Sequence, residues 1–411
     1  MDPDTVVRLR LHNQMLRGPA AASPETALRN LLAVQSQEFP YARWTLAQRT
    51  SAQGNPAHRI TAQPAPATSA ADIEQAVADG RILRTHILRP TWHFVHRDDL
   101  RWLLALSAPR LHQGNAGMYR QTGIDAATAA RSAKVLAKAV EGGHHLTREQ
   151  LAARLQDAGF AGKGLELAYL IMHAEISGVL VSGSPVRSAG GALKQTYALF
   201  DERVPAGPEV PPTRAEALTE LVRRYFTSRG PATVKDCADW SGLTMAEVRQ
   251  GLQLALDSDP DALGTAVIDG AVFYFRAGMD AAADPKGSRG GEIPDGQGPR
   301  VDLIQCYDEY VMGYSATRHY LGGRAPAFPV AGAPIHVVLL DGRMVGSWRH
   351  TLLPGRCELD ILLFDPGSPG QPVPHGSALD DAVDTAISRY AGFLGIPAVR
   401  MPSGSKLEGH R

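Results

Sequence analysis

Two glutamines, Gln35 and Gln37, stand two residues apart in the stretch Leu31-Leu32-Ala33-Val34-Gln35-Ser36-Gln37-Glu38-Phe39-Pro40. A carboxamide does not titrate near neutral pH, so it cannot serve as a general acid or base in the way a carboxylate does. Its oxygen can accept from a water and hold it, and the whole group can donate to or accept from a sugar or a base. Two amides therefore suit a reaction whose leaving group is already activated. What such a reaction needs is positioned water and stabilisation of developing positive charge. Glu38 adjoins the pair and has the chemistry of an ordinary base, although an exposed carboxylate is the commoner role. On residue types alone, a Gln-x-Gln at a helix end is most often a solvated or capping feature.

The elements that must position the pair are legible nearby. Ser23-Pro24-Glu25 is a helix start, with a Ser cap, Pro at the first helical position and a carboxylate in the first turn. Leu28, Leu31, Leu32 and Val34 fall at helical spacing, and Pro40 disfavours helix at the residue before it. The spacing thus predicts a helix ending near Phe39, with Gln35 and Gln37 in its last turn, about 200° apart around the axis. For both to reach one pocket, the turn must be distorted or lie in a concave surface. The segment 81–101 is the most basic one near the glutamines in sequence, with Arg81, Arg84, Arg89, Arg97 and Arg101 plus His86, His93 and His96. Its runs Leu83–His86 and Trp92–Val95 flank Leu88-Arg89-Pro90 as a hairpin. Arg near a hairpin tip suits phosphate contact or minor-groove entry, and His86 and His93 sit where they can face the same cleft. The plainer reading is a solvated hairpin that supplies Trp92 and Phe94 to the core.

Helices over 4–18, 24–39, 42–49 and 71–79 lead into that hairpin, and the order then recurs. Helices near 126–141, 147–158 and 163–177 precede strands at 179–182 and 194–199; helices near 213–228, 233–240 and 244–256 precede strands at 265–269 and 272–275. Three helix-rich units of about 90 to 110 residues, each closed by a hairpin, are the order of tandem winged helices. After a Gly-, Asp- and Pro-rich stretch over 277–300, the chain turns β-like. Ile335–Leu340 and Met344–Trp348 alternate around Asp341-Gly342, a type I′ hairpin signal, followed by a strand at 357–364 and a helix at 378–394. Loops are expected at 51–70 and 366–375, and a disordered tail after Pro402. The fold class is therefore α+β and mainly helical, with winged-helix units at 1–120, 121–208 and 209–285. A β-rich subdomain with a final helix follows at 286–411. Arg343, at the Asp341-Gly342-Arg343 tip, is a compact probe for DNA or simply part of a good turn.

Composition narrows the classes. At 411 residues and 44% hydrophobic, the chain can bury a substantial core. Its 42 basic and 42 acidic residues give no global field to attract phosphate, so any nucleic-acid surface is local. Cys237, Cys306 and Cys357 are scattered singly, which argues for a reducing compartment and against both a disulfide framework and a four-thiolate iron–sulfur cluster. No apolar run is long enough for a bilayer, and Met1-Asp-Pro-Asp lacks the layout of a signal peptide, so a cytoplasmic protein is expected. His144-His145 lacks partners at ligand spacing, so neither a metal nor another cofactor is expected.

Several motifs together carry a resemblance. Leu-x-x-Gln-x-Gln and Arg84-Thr-His-Ile-Leu-Arg-Pro-Thr-Trp-His-Phe-Val95 come first. Arg229-Gly-Pro-Ala-Thr233 follows with Asp239-Trp240-Ser241-Gly242, then Tyr307-Asp308-Glu309-Tyr310, and Leu340-Asp-Gly-Arg-Met-Val-Gly-Ser-Trp-Arg349. In this order they resemble the AlkZ-like family of winged-helix bacterial DNA glycosylases, over most of the chain. The departure is Ser36, where the family usually has an aliphatic residue. The resemblance implies Gln35 and Gln37 as catalytic residues that excise N7-alkylated purines, interstrand crosslinks included. An N7-alkylpurine is cationic and departs neutral, which fits the amide chemistry above. Monofunctional action is expected because no lysine or N-terminal amine adjoins the glutamines in sequence to form a Schiff base. The expected partner is duplex DNA carrying alkylated purines, contacted by Arg84, His86, Arg89, His93 and Arg343, with no membrane and no obligate protein partner. The alternative is a non-catalytic winged-helix DNA-binding protein or transcription regulator, in which there is no reason to turn two amides toward a cleft.

Overall fold

The computed structural model describes residues 1–50, 68–188, 191, 193–207, 210–279, 299–322, 336–364 and 376–402. The chain opens with α1 (Pro3–Asn13), capped by Asp2, and α2 (Pro24–Leu31). α2 has the expected start: Thr26 N donates to Ser23 Oγ at 3.1 Å, with Pro24 and Glu25 in the first turn. Its end is not where the spacing placed it. α2 stops at Leu31, Leu32 takes a φ of 64°, and Ala33–Gln35 forms a strand, β1. Leu31, Leu32, Ala33 and Val34 are all fully buried, and such a continuous apolar run suits a covered strand as well as a helix. Pairing with a distant strand decides between them.

That partner belongs to the hairpin downstream. After α3 (Phe39–Ala47) and α4 (Ala70–Ala78) come β2 (Ile82–His86) and β3 (Trp92–His96), and the three strands form an antiparallel sheet in the order β1-β3-β2. Gln35 lies opposite His93, which lies opposite Thr85. Next is α5 (Arg97–Gln121), a 25-residue helix absent from the sequence reading. Its start was visible in retrospect: His96 caps it, and Asp98 and Asp99 favour the positive end of its dipole.

The following segment packs α6 (Ala126–Val140), α7 (Arg148–Asp157) and α8 (Gly164–Ile176) with β4 (Leu146–Thr147), β5 (Leu180–Ser182), β6 (Val186–Arg187), β7 (Leu193–Lys194), β8 (Thr196–Leu199) and the short α9 (Phe200–Arg203). Then come α10 (Arg214–Arg229), α11 (Val234–Ser241) and α12 (Met245–Ser258), followed by the hairpin β9 (Leu263–Ile268) and β10 (Ala271–Arg276). Reciprocal capping boxes start α4, α7, α10, α11 and α12, as at Thr213/Glu216 and Thr244/Glu247.

The C-terminal part holds β11 (Val301–Ile304), α13 (Glu309–Met312), β12 (His336–Leu340), β13 (Arg343–Leu353), β14 (Arg356–Leu363), α14 (Ser377–Leu394) and β15 (Ala398–Arg400). Its sheet has five strands in that order, where three were anticipated; β11 and β15 form the edges, β15 running parallel to β14. Asp341 and Gly342 take φ of 47° and 82°, the type I′ turn expected between β12 and β13. A Cβ on Gly342 would lie 2.6 Å from Leu11 Cδ1, so the turn sits directly against α1. The loops expected at 51–70, 277–300 and 366–375 and the tail after Pro402 fall wholly or mainly outside the described residues.

The largest buried cluster draws on α1, the first sheet, α10–α12 and the C-terminal sheet, through Val6, Leu83, Leu218, Trp240, Tyr310 and Leu339 among others. One core therefore runs across the chain divisions expected at 120, 208 and 285. Among the described residues no helix is long and apolar enough to cross a membrane.

Candidate active site

The chain around the pair is extended rather than helical, with Gln35 closing β1 and Gln37 in the bend that follows. The extended run continues past β1 through Ser36, whose N–H donates to Trp92 O at 2.8 Å. Gln35 is 3% exposed and Gln37 half-buried. Gln37 lines an open cleft of about 360 Å³ with Glu38, Phe39, Pro40, Tyr41, Arg84, Leu193 and Gln195.

Buried polar groups hold this segment from two sides. On one side, Glu309 accepts from Gln35 N at 2.9 Å and Gln305 Nε2 donates to Gln35 O at 3.2 Å. Glu309 is in turn fixed by Arg229 Nη2 at 2.6 Å and Trp240 Nε1 at 2.7 Å, with Glu309 and Arg229 fully buried. Its neighbour Asp308 pairs with Arg49 at 2.6 and 2.9 Å, again fully buried. Thus the motif residues Arg229, Trp240 and Glu309 all meet at the backbone of Gln35. On the other side, Arg84 Nε donates to Ser36 O at 3.0 Å and Arg84 Nη2 to Gln37 O at 3.2 Å. Arg84 Nη1 donates to Gln195 Oε1, and Ser182 Oγ accepts from Arg84 N at 2.8 Å. Burial pulls the Arg84 guanidinium down to about 10, against the pull of nearby Tyr197 and Glu175.

The two amides have different partners. Gln35 Oε1 accepts from Arg89 Nη2 at 2.8 Å, whereas Gln37 Oε1 accepts from Trp92 N at 3.3 Å. Burial lowers the Arg89 pKa, and Glu309 opposes that fall. His93 is buried; its Nδ1 donates to Thr91 O at 2.9 Å and its Nε2 lies 3.5 Å from Arg89 Nη2. Burial and the Arg89 charge hold its pKa well below the usual histidine value, so the ring is neutral. His86, also buried, meets Glu175 Oε2 at 2.6 Å and packs against Trp92.

Of the residues expected to touch DNA, the structure therefore gathers Arg84, His86, Arg89 and His93 around the glutamines. Arg84, His86 and His93 have their polar groups engaged inside the protein, and Arg89 is partly buried over Gln35. Arg343 lies elsewhere: its Nη2 pairs with Asp4 Oδ1 at 2.5 Å, and Tyr310 donates to Gly342 O at 2.9 Å, so the hairpin tip is docked on α1. Sequence reasoning missed Gln195, which no local motif marks, and His336, whose Nε2 lies 3.3 Å from Glu38 Oε2.

Glu38, Cys306 and His336 offer three donor atoms within 4.8 Å of one another. The donor types suit a metal, but the imidazole orientation does not. Cys306 N donates to His336 Nδ1 at 3.2 Å, so the ring proton sits on Nε2, facing Glu38. A metal-bound histidine donates its other N–H, whereas here that nitrogen already accepts one. Glu38 Oε2, 3.3 Å from that nitrogen, is buried with no hydrogen-bond partner among the described residues.

Three comparisons bear on this geometry. The profile of a protein family described as DNA glycosylase AlkZ-like matches residues 28–393. A solved structure, the DNA glycosylase AlkZ of Streptomyces sahachiroi, superposes with a TM-score of 0.63 at 20% identity, over 98% of this chain and 100% of that one. No curated protein matches the chain by sequence.

Proposed function

The chain belongs to the AlkZ-like DNA glycosylase family, and on that premise we propose that it hydrolyses the N-glycosidic bond of N7-alkylated purines in duplex DNA, bulky adducts and interstrand crosslinks included. The observation that carries the reading is the Gln35–Gln37 segment. Its backbone is braced on both sides, at Gln35 by Glu309 and Gln305 and at Ser36 and Gln37 by Arg84, with Gln37 opening on the cleft and Gln35 buried beside it under Arg89. Bracing of this kind preorganises amide dipoles before substrate arrives, which is where electrostatic catalysis draws its advantage. An N7-alkylpurine needs little more, because its positive charge makes it a good leaving group.

In this reading Gln37 holds the attacking water and faces the developing positive charge at C1′, and Gln35 supports it from its buried position alongside. Arg89 is the DNA-contacting cation of the site; Arg84, His86 and His93 position the amides, and Arg343, paired with Asp4 on α1, is a DNA contact outside the cleft. The units at 1–120, 121–208 and 209–285 are taken as winged helices, with 286–411 bracing the first through Gln305 and Glu309. Action is monofunctional: no lysine lines the cleft among the described residues, and Lys194, next to Leu193 and Gln195, turns away to Glu149 at 2.9 Å.

The test is excision of N7-methylguanine and of a bulkier N7-adduct from duplex DNA, read as alkali-labile breaks, for native protein, Gln35→Ala and Gln37→Ala. The variants are first checked for fold and DNA affinity. Excision by the native chain that drops in either variant supports the reading. Binding of adducted DNA without excision of either adduct favours the non-catalytic DNA-binding alternative.

A further inference from the structure

We propose that Glu38 is a catalytic residue of this site, the group that takes the proton from the water attacking C1′; the assignment rests on the glycosylase reading above. Neither amide can accept that proton. Glu38 lines the same cleft as Gln37, and its side chain is 30% exposed.

Among the described residues, what separates Glu38 from the other carboxylates nearby is that no lysine or arginine lies in ion-pair range of it. Glu309 is consumed by Arg229 and Asp308 by Arg49, both pairs fully buried. Among the described residues, the one basic side chain in ion-pair range of Glu38 is His336. That imidazole is neutral, since its Nδ1 accepts from Cys306 N and burial holds its pKa down. Its ring lies against Tyr41, 3.7 Å between centroids and tilted by 35°, and Tyr41 stacks on His350 at 4.0 Å. The neutral ring places its Nε2 3.3 Å from Glu38 Oε2, a buried oxygen with no hydrogen-bond partner among the described residues, and so sits beside the carboxylate without cancelling its charge. The other oxygen is left for water in the cleft.

The step balances. The C1′–N9 bond breaks with its electron pair going to the purine, which loses its positive charge and leaves neutral. Water oxygen forms the new bond to C1′, and its proton passes to the Glu38 carboxylate and then to solvent, leaving an abasic deoxyribose with a 1′-hydroxyl. While C1′ carries positive charge, the same carboxylate stabilises it electrostatically. Tyr41 flanks Glu38 in the cleft, and burial pushes its phenol pKa upward, so it does not compete for the proton.

The experiment is single-turnover excision of N7-methylguanine and a bulkier N7-adduct by native protein, Glu38→Gln, Glu38→Ala and Gln37→Ala, each with thermal melting and DNA affinity measured. Loss of a general base costs typically about 10²–10⁴-fold. Glu38→Gln is therefore expected to fall at least about 10²-fold with melting and affinity unchanged, and added formate is expected to restore part of the Glu38→Ala rate. Native-like excision by Glu38→Gln, with Gln37→Ala impaired, overturns this assignment and leaves the amide reading standing. A slow Glu38→Ala that formate does not accelerate also overturns it, by making Glu38 structural. No excision of either adduct by native protein overturns the glycosylase reading and this assignment together.

Discussion

Replacing Glu309 by Gln removes one charge and little volume, at the point where three distant parts of the chain meet. Glu309 Oε1 accepts from Gln35 N; Oε2 accepts from Arg229 Nη2 at 2.6 Å and from Trp240 Nε1 at 2.7 Å. Every partner is a donor. The new NH₂ group therefore faces a donor whichever way the amide turns: at the Oε2 position it leaves Arg229 with Ala33 O at 3.1 Å and Ser228 Oγ at 3.0 Å, and at the Oε1 position it faces Gln35 N. Leaving one member of a buried ion pair uncompensated costs about 3–5 kcal/mol. A second route gives a similar figure: two hydrogen bonds involving a charged partner are worth about 1.5–3 kcal/mol each. Glu309→Gln should thus lose about 3–5 kcal/mol in urea unfolding, read from the midpoint at unchanged slope. In a double-mutant cycle, Arg229→Met with Glu309→Gln should lose clearly less than the sum of the single variants, because the double variant has no stranded charge. Excision should fall with Glu309→Gln even where the protein is fully folded, since in either orientation one side of the brace on Gln35 is lost, its N–H acceptor or the Arg229 pair behind it. A loss below about 1 kcal/mol, the size of an ordinary neutral hydrogen bond, or strict additivity in the cycle, would refute the account of this cluster.

Arg89→Ala should weaken binding to duplex DNA and reduce the slope of log affinity against log salt by about 1, measured by fluorescence anisotropy over a salt series. An unchanged slope would remove Arg89 from the DNA surface and leave it as a partner of Gln35 alone. Asp302 predicts an acid limb in stability. Burial would raise its carboxyl pKa, but Arg17 at 2.5 Å, Arg389 at 3.0 Å and Arg300 at 3.4 Å outweigh burial and hold it at about 2, below its ordinary 3.8. Because the folded state binds this proton less readily than the unfolded chain, the stabilisation is present above about pH 4 and lost as pH falls toward about 2. Its size is on the order of 2 kcal/mol. Asp302→Asn should flatten that part of the stability curve in acid titrations followed by circular dichroism, and a native-like acid limb in this variant would count against the assignment.

Local chemistry was legible and long-range pairing was not. Ser23-Pro24-Glu25 starts a helix because cap, proline and carboxylate act within one turn, and Asp341-Gly342 makes a type I′ turn because few other pairs tolerate two positive φ angles. By contrast, nothing within Leu31–Val34 distinguishes helix from strand; the choice is made by β3, about sixty residues downstream. α5 escaped because its first turn lies inside a segment whose arginines and histidines read as a basic hairpin, although Asp98 and Asp99 were the counter-signal. Glu38 was visible as a carboxylate beside the glutamines. Its partner His336 lies nearly three hundred residues away in a β-strand and carries no local mark of a site. Arg229, Trp240 and Glu309 could be flagged only by family resemblance, because each is an ordinary core residue until the fold sets it against Gln35.

The same convergence accounts for an apparently wasteful use of charge. A net charge of zero from 42 basic and 42 acidic residues looks unpromising for a DNA enzyme, yet several of these charges never reach the surface. Arg49 with Asp308, Arg229 with Glu309, and Arg17 with Asp302 are spent inside, and the second pair holds the Gln35 N–H through Glu309. Such pairs are poor sources of net stability, but their directional geometry fixes a backbone more narrowly than apolar packing does. A site that relies on two neutral amides to orient water and substrate needs that precision, because their contribution depends on where their dipoles point. It also follows that no single unit of the chain carries the site. Residues 33–38, Arg84, Gln195, Arg229 and 305–309 together form it, so the core that crosses the chain divisions also builds the candidate site.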